Sequence, residues 1–409
     1  MEKKNWSVLE PDLKLLSKEQ ILGSALALAQ EEQLPVAVWR KPNKTEINLL
    51  ISFSEALQVD RYELQELKNG FAFAPFNFNQ EKGFFINGDV LLSFDFDEVV
   101  IKPVNEASAN TLQVDSFKKK LIDRIENDEE SPLFNQSKDL AKPKSSDYET
   151  LVEKCVEAIR DGFFEKVVPA RSTDIDLPAG FDLIKLYSNL CAAYPNAFIS
   201  FVSIPELGSW LGATPEILIE KEFNTFRTHA LAATQRFNPE NDLSETAWTQ
   251  KEIEEQAMVS RYIINCFKKI RLREYVEKGP ETIKAGNLLH LKTSFEVDVV
   301  ATNFPELPTV MLELLHPTSA VAGMPKEQAL SFLKLEEQLD RSFYAGFLGP
   351  VNIEEQTSLY VNLRCMELAK DKARLFAGAG VTAHSNPKKE FVETEMKFNT
   401  LLNILNQAH

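Results

Sequence analysis

The sequence predicts an α+β fold. Strand-like runs lie between long helical segments, and many of these elements do not alternate strictly, which argues against a doubly wound parallel sheet. The chain has 409 residues, of which 44% are hydrophobic and 28 are phenylalanine. This length and composition are enough for a sizeable core, in one large two-part body or in two to three ordinary domains.

Residues 1–125 read as helices and short strands, such as "KEQILGSALALAQEE" and "VAVWR", and carry no chemical motif. The stretch 126–147 is polar, charged and interrupted by proline, so we interpret it as a linker. The region 148–409 opens with "YETLVEKCVEAIRDG", whose apolar spacing predicts a helix that ends at Gly162.

The middle of the chain predicts several strands and one long helix. "FEKVVPARSTDIDL" reads as a strand in which Pro169 indicates an edge or a bulge, because proline has no N–H to donate. "NAFISFVSI" and "GSWLGATPEILIE" predict a hairpin, and "THALAATQR" predicts a further strand. We expect a long helix over about 245–276, before Gly279 and Pro280. Later strands are predicted at "EVDVVAT", "YAGFLGPVN", "SLYVNLRCMEL" and "ARLFAGAG".

Charge and cysteine usage limit the possible partners and compartment. The net charge of -16 argues against broad binding to nucleic acid or anionic membranes, which need clustered basic surface. The N-terminus lacks an apolar core of signal-peptide type, and no stretch approaches the ~18 apolar residues of a membrane span. We therefore expect a cytoplasmic protein with reduced thiols, since no CxxC pair occurs among Cys155, Cys191, Cys266 and Cys365.

The last helix carries two glutamates three residues apart. Asn386 is suited to cap it, and Pro387 fits its first turn. At helical spacing Glu390, Glu393 and Lys397 share one stripe beside the apolar face. A solvated face is one explanation, because an i,i+4 pair from glutamate to lysine contributes only ~0.3–0.5 kcal/mol.

A second helix repeats the spacing with Glu252 and Glu255 in "TQKEIEEQAMVSRYIINCF". Glu255 lies on an apolar stripe, where an uncompensated carboxylate would cost several kcal/mol. Two such helices could form an all-oxygen site, which suits Mg²⁺. The five histidines are not paired at ligand spacing, so zinc is not expected. The spacing alone leaves the magnesium site and the solvated face both open.

Eight motifs occur together in the order typical of one family. They are "EKVVPARS", "WLGATPEILIEK", "LAATQR", "KEIEEQ", "HPTSAVAGMPK", "DRSFYAGFLG", "LYVNLR" and "FAGAGV…NPKKEFVETEMK". On these motifs the chain over about 145–405 resembles the chorismate-utilising, anthranilate synthase component I-like enzymes, and most closely the isochorismate synthases. The resemblance implies a large chorismate-binding fold of the aminodeoxychorismate (ADC) synthase-like type. Two packed, mainly antiparallel β-sheets are then flanked by helices, residues 1–125 belong to the same body, and 148–409 form the catalytic region.

The resemblance also implies a metal site and an acid–base pair. Glu255 and Glu393 match direct ligands of Mg²⁺, and Glu252 and Glu390 match acids that bind the metal through water. Isochorismate forms when water adds at C2 of chorismate and the C4 hydroxyl leaves, so a base and an acid are needed. By resemblance these are Lys166 and Glu216. From the residues alone, a snorkelling lysine at a strand edge and a turn carboxylate are the preferred explanations of these two positions.

Further positions match family contacts to the substrate. Arg364 is suited to bidentate carboxylate binding, and His290 matches a group that positions the leaving hydroxyl. His316 also lies at a family position, where we expect a structural role. The remaining implied substrate contacts are Tyr344, Lys397, Thr234 and the backbone N–H groups around Gly378 and Gly380.

Two positions favour water over ammonia as the nucleophile. Amidating relatives carry glutamine where this chain has Lys166, and some carry a lysine nucleophile where it has Ala232. We therefore expect an isochorismate synthase that is monomeric and needs no glutamine amidotransferase partner. The product would serve menaquinone, siderophore or salicylate synthesis alike. A salicylate synthase and a non-catalytic chorismate-binding protein are the alternatives. A Mg²⁺-dependent hydrolase is disfavoured, because no activated nucleophile is evident.

Three residues depart from the family pattern. Ala233 replaces a glycine, Gln256 replaces a histidine that often follows the metal glutamate, and Pro169 interrupts the strand after Lys166. None of them removes a chemical group assigned above. Each leaves room for altered efficiency or substrate choice.

Overall fold

The computed structural model describes residues 17–95, 98–105, 111–127, 140, 147–237, 243, 246–285 and 288–407. Eight helices and twenty strands are formed within this part of the chain. The helices are α1 (Lys18–Glu31), α2 (Thr111–Glu126), α3 (Tyr148–Arg160), α4 (Leu183–Ala193), α5 (Gln250–Lys269), α6 (Leu307–Leu315), α7 (Lys326–Glu336) and α8 (Pro387–Leu405).

The strands of the first half are β1 (Val36–Arg40), β2 (Ile47–Ile51), β3 (Leu57–Val59), β4 (Gly70–Ala74), β5 (Gly83–Asn87), β6 (Val90–Asp95), β7 (Glu98–Pro103), β8 (Lys166–Val167), β9 (Ala170–Asp176) and β10 (Phe198–Ile204). Those of the second half are β11 (Gly208–Thr214), β12 (Ile217–Glu222), β13 (Thr225–Arg236), β14 (Val276–Ala285), β15 (Leu288–Asp298), β16 (Gly323–Met324), β17 (Phe347–Val351), β18 (Gln356–Val361), β19 (Cys365–Leu368) and β20 (Lys372–Gly378).

Two nine-stranded antiparallel sheets form the body. The first has the order β7-β6-β2-β1-β10-β11-β19-β20-β9, and the second has the order β14-β15-β13-β12-β18-β17-β4-β5-β3. Strands β8 and β16 form a separate two-stranded pair. Both large sheets contain strands from before residue 105 and from after residue 165. The predicted α+β class with two antiparallel sheets is confirmed.

An aromatic layer packs the two sheets together. Phe198 of the first sheet stacks on Tyr360 of the second, with ring centroids 4.0 Å apart, and Trp39 contacts Phe71 at 5.4 Å. Aromatic pairs at such distances add about 0.5–1.5 kcal/mol each to the burial of their area. Aromatic residues of both sheets therefore stabilise the layer between them.

The outer face of the first sheet is covered by helices α1, α2, α4 and α8, so its central strands are buried on both faces. Along β10, Phe198 and Val202 face the layer between the sheets, whereas Ile199 and Phe201 face the helices. This two-residue period explains why β10 is apolar without a polar face. Helix α5 covers the second sheet by packing on β13 and β15.

The closing helix begins as predicted. The Asn386 side chain accepts a hydrogen bond from the Lys389 N–H, and Pro387 is the first residue of α8. The hairpin predicted at "NAFISFVSI" and "GSWLGATPEILIE" is also confirmed, because β10 pairs antiparallel with β11. The second half of that run forms β12, which belongs to the other sheet.

The prediction of a long helix over about 245–276 was wrong at the C-terminal end. Helix α5 ends at Lys269, Arg271 has a left-handed φ of 59°, and Val276 begins β14. Gly279 and Pro280 lie within β14, at a bulge in its pairing with β15. Pairing with the next strand, β15, therefore overrides the helical spacing of this segment. Residues 244 and 245 lie outside the described part.

The strand predicted around Pro169 is divided in two. Lys166–Val167 pairs with β16, whereas Ala170–Asp176 is the edge strand of the first sheet. Of the predicted linker 126–147, residues 128–139 and 141–146 lie outside the described residues. None of the described helices has the length and apolar character that a membrane crossing requires. The four cysteines form no disulfide.

A glycine brings β16 against the backbone of β8. At Gly323 φ is 137°, and a Cβ there would lie 2.3 Å from the Lys166 carbonyl oxygen. We expect Gly323→Ala to lower the free energy of unfolding by roughly 2–4 kcal/mol, through backbone strain and overpacking. Urea denaturation measures this change.

The control for this prediction is Gly180→Ala. Gly180 also has a positive φ, 78°, but a Cβ there meets nothing within 4 Å. This substitution should cost only about 1 kcal/mol, from the left-handed backbone alone. Equal losses for the two variants would contradict the role assigned to the close approach at Gly323.

Candidate active site

Lys166 lies on the short strand β8 and is buried, with 8% of its surface exposed. Its ammonium group donates a hydrogen bond to Glu255 on α5, at 3.0 Å between Nζ and Oε1. A Cβ on Gly380 would lie 3.0 Å from Lys166 Cε, so the glycine leaves room for this side chain. The structure thus pairs the predicted base with a predicted metal ligand.

Glu216 lies in the turn between β11 and β12, where Pro215 precedes it. Burial raises the pKa of its carboxyl to about 7. The Thr318 hydroxyl, which donates to Oε1 at 3.2 Å, and the nearby charge of Arg364 act in the opposite direction. Lys166 and Lys397 oppose the rise as well. Desolvation therefore outweighs the neighbouring cations, and the carboxyl holds its proton close to neutral pH.

Arg364 follows β18 in a left-handed conformation with φ of 47°. An arginine in this region of backbone space is strained by about 1–3 kcal/mol, which is common at functional sites. Burial lowers the pKa of its guanidinium, whereas Tyr344, Glu393 and Glu216 favour its charge. Tyr344 is itself buried and stacks on Phe376 with ring centroids 5.5 Å apart. The predicted carboxylate-binding arginine therefore lies among the other predicted site residues.

Lys397 extends from α8 to the end of β20. Its ammonium group donates to the Gly378 carbonyl oxygen at 2.6 Å and to Glu393 at 2.8 Å. Burial lowers the pKa of Lys397, and Glu393 opposes this effect. A Cβ on Gly378 would lie 3.2 Å from the Tyr344 hydroxyl, so small residues let these groups approach.

His290 lies on β15, beside the bulge in β13. Its Nδ1 is 3.0 Å from the Ala233 carbonyl oxygen, and burial lowers its pKa, so the ring is neutral at pH 7. Ala233 has a left-handed φ of 57°, which explains why relatives place glycine there. Thr234 lies opposite His290 in the pairing of β13 with β15.

The two acidic helices are not equivalent. On α5, Glu252 accepts hydrogen bonds from the Thr249 N–H at 2.7 Å and from Gln235 Nε2 at 2.8 Å. It is thus the helix's capping-box residue. On α8, Glu390 and Glu393 both lie near the Tyr148 hydroxyl, whose pKa is raised chiefly by burial.

The glutamates supply the right donor atoms for Mg²⁺, but this conformation does not gather them. Among the described residues, no group of three histidine, cysteine, aspartate or glutamate side chains is placed to hold a metal. Glu255 and Glu393 each bind a lysine ammonium instead, and their side chains are 38% and 42% exposed. Half-exposed carboxylates without nitrogen or sulfur ligands are the donors that Mg²⁺ prefers, so the residues fit this metal.

Two polar residues near the site have structural contacts. His316 Nε2 lies 3.1 Å from the Phe76 carbonyl oxygen, and burial lowers its pKa to about 3. Gln256 Nε2 donates to Ala230 at 3.2 Å and to Thr293 at 2.9 Å, which joins α5 to β13 and β15. The sequence did not indicate a role for Thr318, although this residue lies in the motif "HPTSAVAGMPK". Only the fold brings its hydroxyl to Glu216.

The family model for chorismate binding enzymes matches residues 89–406. The chain belongs to the chorismate-binding enzyme family. Isochorismate synthase EntC of Escherichia coli (strain K12) is 30% identical over 269 residues, which cover 64% of this chain and 68% of the relative. Isochorismate synthase DhbC of Bacillus subtilis (strain 168) is 30% identical over 281 residues, which cover 65% of this chain and 69% of the relative.

A solved structure agrees with this assignment. MenF, the menaquinone-specific isochorismate synthase from Escherichia coli, matches with a TM-score of 0.73 at 20% identity. The match covers 95% of this chain and 91% of that chain. At this identity the likeness shows the fold, so the chorismate-binding fold predicted from the motifs is confirmed.

The hydrogen bond from Thr318 to Glu216 can be tested within this chorismate-binding fold. It opposes the rise in the pKa of Glu216, which burial brings to about 7. Thr318→Val should therefore raise this pKa further. Carbon-13 NMR of protein labelled at the glutamate carboxyls, with Glu216→Gln to assign the signal, measures it.

Ser319→Ala is the matched control, because the buried Ser319 hydroxyl has no hydrogen-bond partner among the described residues. The pKa of Glu216 should not change in this variant. A fall in that pKa in Thr318→Val would show that the hydroxyl does not stabilise the carboxylate.

Proposed function

We propose that this protein is an isochorismate synthase, an isomerase that converts chorismate to isochorismate with Mg²⁺. The observation that carries this proposal is the buried Glu216, whose pKa is raised to about 7 by burial within a group of buried cations. A protonated acid beside Lys166 and Arg364 suits a reaction that expels a hydroxyl from a dianion. Relatives at 30% identity carry the name isochorismate synthase.

In this proposal Lys166 is the general base, after the ammonium group that binds Glu255 has lost one proton. It takes a proton from water as the oxygen bonds to C2 of the ring. Its carboxylate partner Glu255 orients the amine, and Gly380 leaves room for the lysine side chain. A lysine here favours attack by water, so the enzyme should act without an ammonia-delivering amidotransferase. We also expect it to act as a monomer.

Glu216 is the general acid on the other side of the ring. It donates its proton to the C4 hydroxyl, which leaves as water while the ring double bonds rearrange. One water adds and one water departs, so the reaction is an isomerisation. The neutral His290 donates its Nδ1–H to the Ala233 carbonyl oxygen, so its Nε2 can accept a hydrogen bond from the leaving hydroxyl.

The substrate's two carboxylates need cations that water does not screen. Arg364 offers a planar pair of N–H donors, and Lys397 adds a second positive charge held by the Gly378 carbonyl group. The Tyr344 hydroxyl, the N–H groups around Gly378 and Gly380, and Thr234 complete the proposed set.

Glu255 and Glu393 would hold the metal directly, with Glu252 and Glu390 in the outer shell. When bound, Mg²⁺ would neutralise the ring carboxylate and fix its position. Relatives at 30% identity are named isochorismate synthases, which disfavours a salicylate synthase. A non-catalytic binding protein is disfavoured because both the acid and the base are present.

The reaction itself is tested by chromatography after the protein is incubated with chorismate and Mg²⁺. We expect isochorismate, and Lys166→Ala should lower its rate of formation by about 10²–10⁴-fold, the usual contribution of a general base. A chelator should abolish product. Salicylate with pyruvate, or chorismate that is bound but unchanged, would contradict the proposal.

The pH dependence of the rate gives a second prediction for the same reaction. Glu216 must be protonated to act as the acid, and burial raises its pKa to about 7. The carboxyl loses this proton as pH rises through about 7, which opposes the gain from deprotonation of Lys166, so kcat should stop rising or fall above this pH. A rate that keeps rising above this pH would remove Glu216 from the acid role.

The metal assignment predicts different effects for neighbouring glutamates of α5. Glu255→Gln should raise the Mg²⁺ concentration needed for half-maximal activity at least about tenfold. Glu254→Gln is the control, because Glu254 is exposed and bonds Gln250 on its own helix. Calorimetric titration of the protein with Mg²⁺ provides a readout without turnover, and equal affinities in the two variants would argue against this ligand.

A further inference from the structure

A buried ion pair lies outside the residues assigned so far. Arg341 and Glu337 have side chains that are 3% and 4% exposed. The guanidinium donates from Nε to Glu337 Oε1 at 2.6 Å and from Nη2 to Glu337 Oε2 at 2.7 Å. Arg341 also lies 4.3 Å from the centre of the Phe76 ring. Such a pair contributes little net stability, because desolvation offsets its attraction.

The pair also binds the backbone at three places. Arg341 donates to the Val321 carbonyl oxygen at 2.9 Å and to that of Val168 at 2.7 Å. Glu337 accepts from the Ala170 N–H at 2.8 Å. Val168 and Ala170 flank Pro169, where β8 and β9 part. The ion pair therefore satisfies backbone groups that a continuous strand would pair in a sheet.

These backbone contacts connect to both proposed reacting groups. Val168 follows Lys166 by two residues, so its carbonyl anchors the strand that carries the base. Val321 belongs to the turn that begins at Thr318, since its N–H donates to the Thr318 carbonyl at 3.1 Å. The Thr318 hydroxyl in turn bonds Glu216. One guanidinium thus joins the segment that carries the base to the segment that contacts the acid.

We propose that Arg341 and Glu337 are positioning residues that set Lys166 and Glu216 at their working separation. This inference rests on the proposed isochorismate synthase activity. Neither residue touches substrate; both act through the backbone. A cavity of about 200 Å³ lies against the pair, and none of the predicted site residues lines it.

The test compares Arg341→Lys with wild type in kcat and in KM for chorismate. Lysine keeps the charge but cannot bridge two carbonyl groups and a carboxylate with a planar fork. We expect kcat to fall about 10²-fold, as for a small misplacement of reacting groups, with KM within about threefold. In a Lys166→Ala background the same substitution should have a smaller effect on kcat, because one of the two groups that it positions is gone.

Arg374→Lys is the matched control. Arg374 makes a similar bidentate pair with Asp174, at 2.7 and 2.8 Å, between β20 and β9. It should lower the melting temperature without changing kcat. If Arg341→Lys does not fold, Glu337→Gln carries the test, since it keeps the shape and weakens the pair; a kcat drop of about tenfold is then expected.

Three outcomes separate the claims. A wild-type protein that makes no isochorismate overturns the proposed function. An active wild type with unchanged kcat in Arg341→Lys, or with equal losses in Arg374→Lys, overturns only the positioning role. A raised KM with unchanged kcat in Arg341→Lys would likewise overturn the positioning role, because that pattern indicates weaker substrate binding.

Discussion

Burial of several cations around one protonated carboxyl is the constraint on which the site depends. Removing a charge from water costs several kcal/mol unless hydrogen bonds and an opposite charge compensate it. Lys166 is compensated by Glu255 of α5, and Lys397 by Glu393 of α8 and by a carbonyl group. Helix α5 must therefore lie next to β8, and helix α8 next to the end of β20. An anionic substrate can then meet cations that are already desolvated.

The two packed sheets make this arrangement rigid. Their shared aromatic layer resists movement, so strained backbone at the site is tolerated. Arg364 and Ala233 both have left-handed backbone, and Gly323 approaches Lys166 too closely for any side chain. The left-handed backbone of Arg364 and Ala233 is strained and is held by the surrounding strands, whereas glycine adopts the conformation of Gly323 without strain. Membership of the chorismate-binding enzymes agrees with this arrangement, since the matched region contains all of these residues.

The three departures from the family pattern each have a local structural account. Ala233 adopts the backbone that glycine prefers, and its carbonyl still meets His290. Gln256 donates to β13 and β15, so α5 remains tied to the second sheet. The strand break at Pro169 is bridged by the Glu337 and Arg341 pair.

Local signals determined the start of α8, the β10–β11 hairpin and the spacing of the glutamates, because caps and periodicity act within a few residues. Lys166 and Glu216 were identified only through the resemblance, since nothing nearby in sequence distinguishes them from ordinary polar residues. Only the tertiary structure decided that Val276 begins a strand and that β8 and β9 belong to different sheets. It also decided the raised pKa of Glu216. Pairing, burial and charge compensation depend on residues up to hundreds of positions apart, which no local pattern encodes.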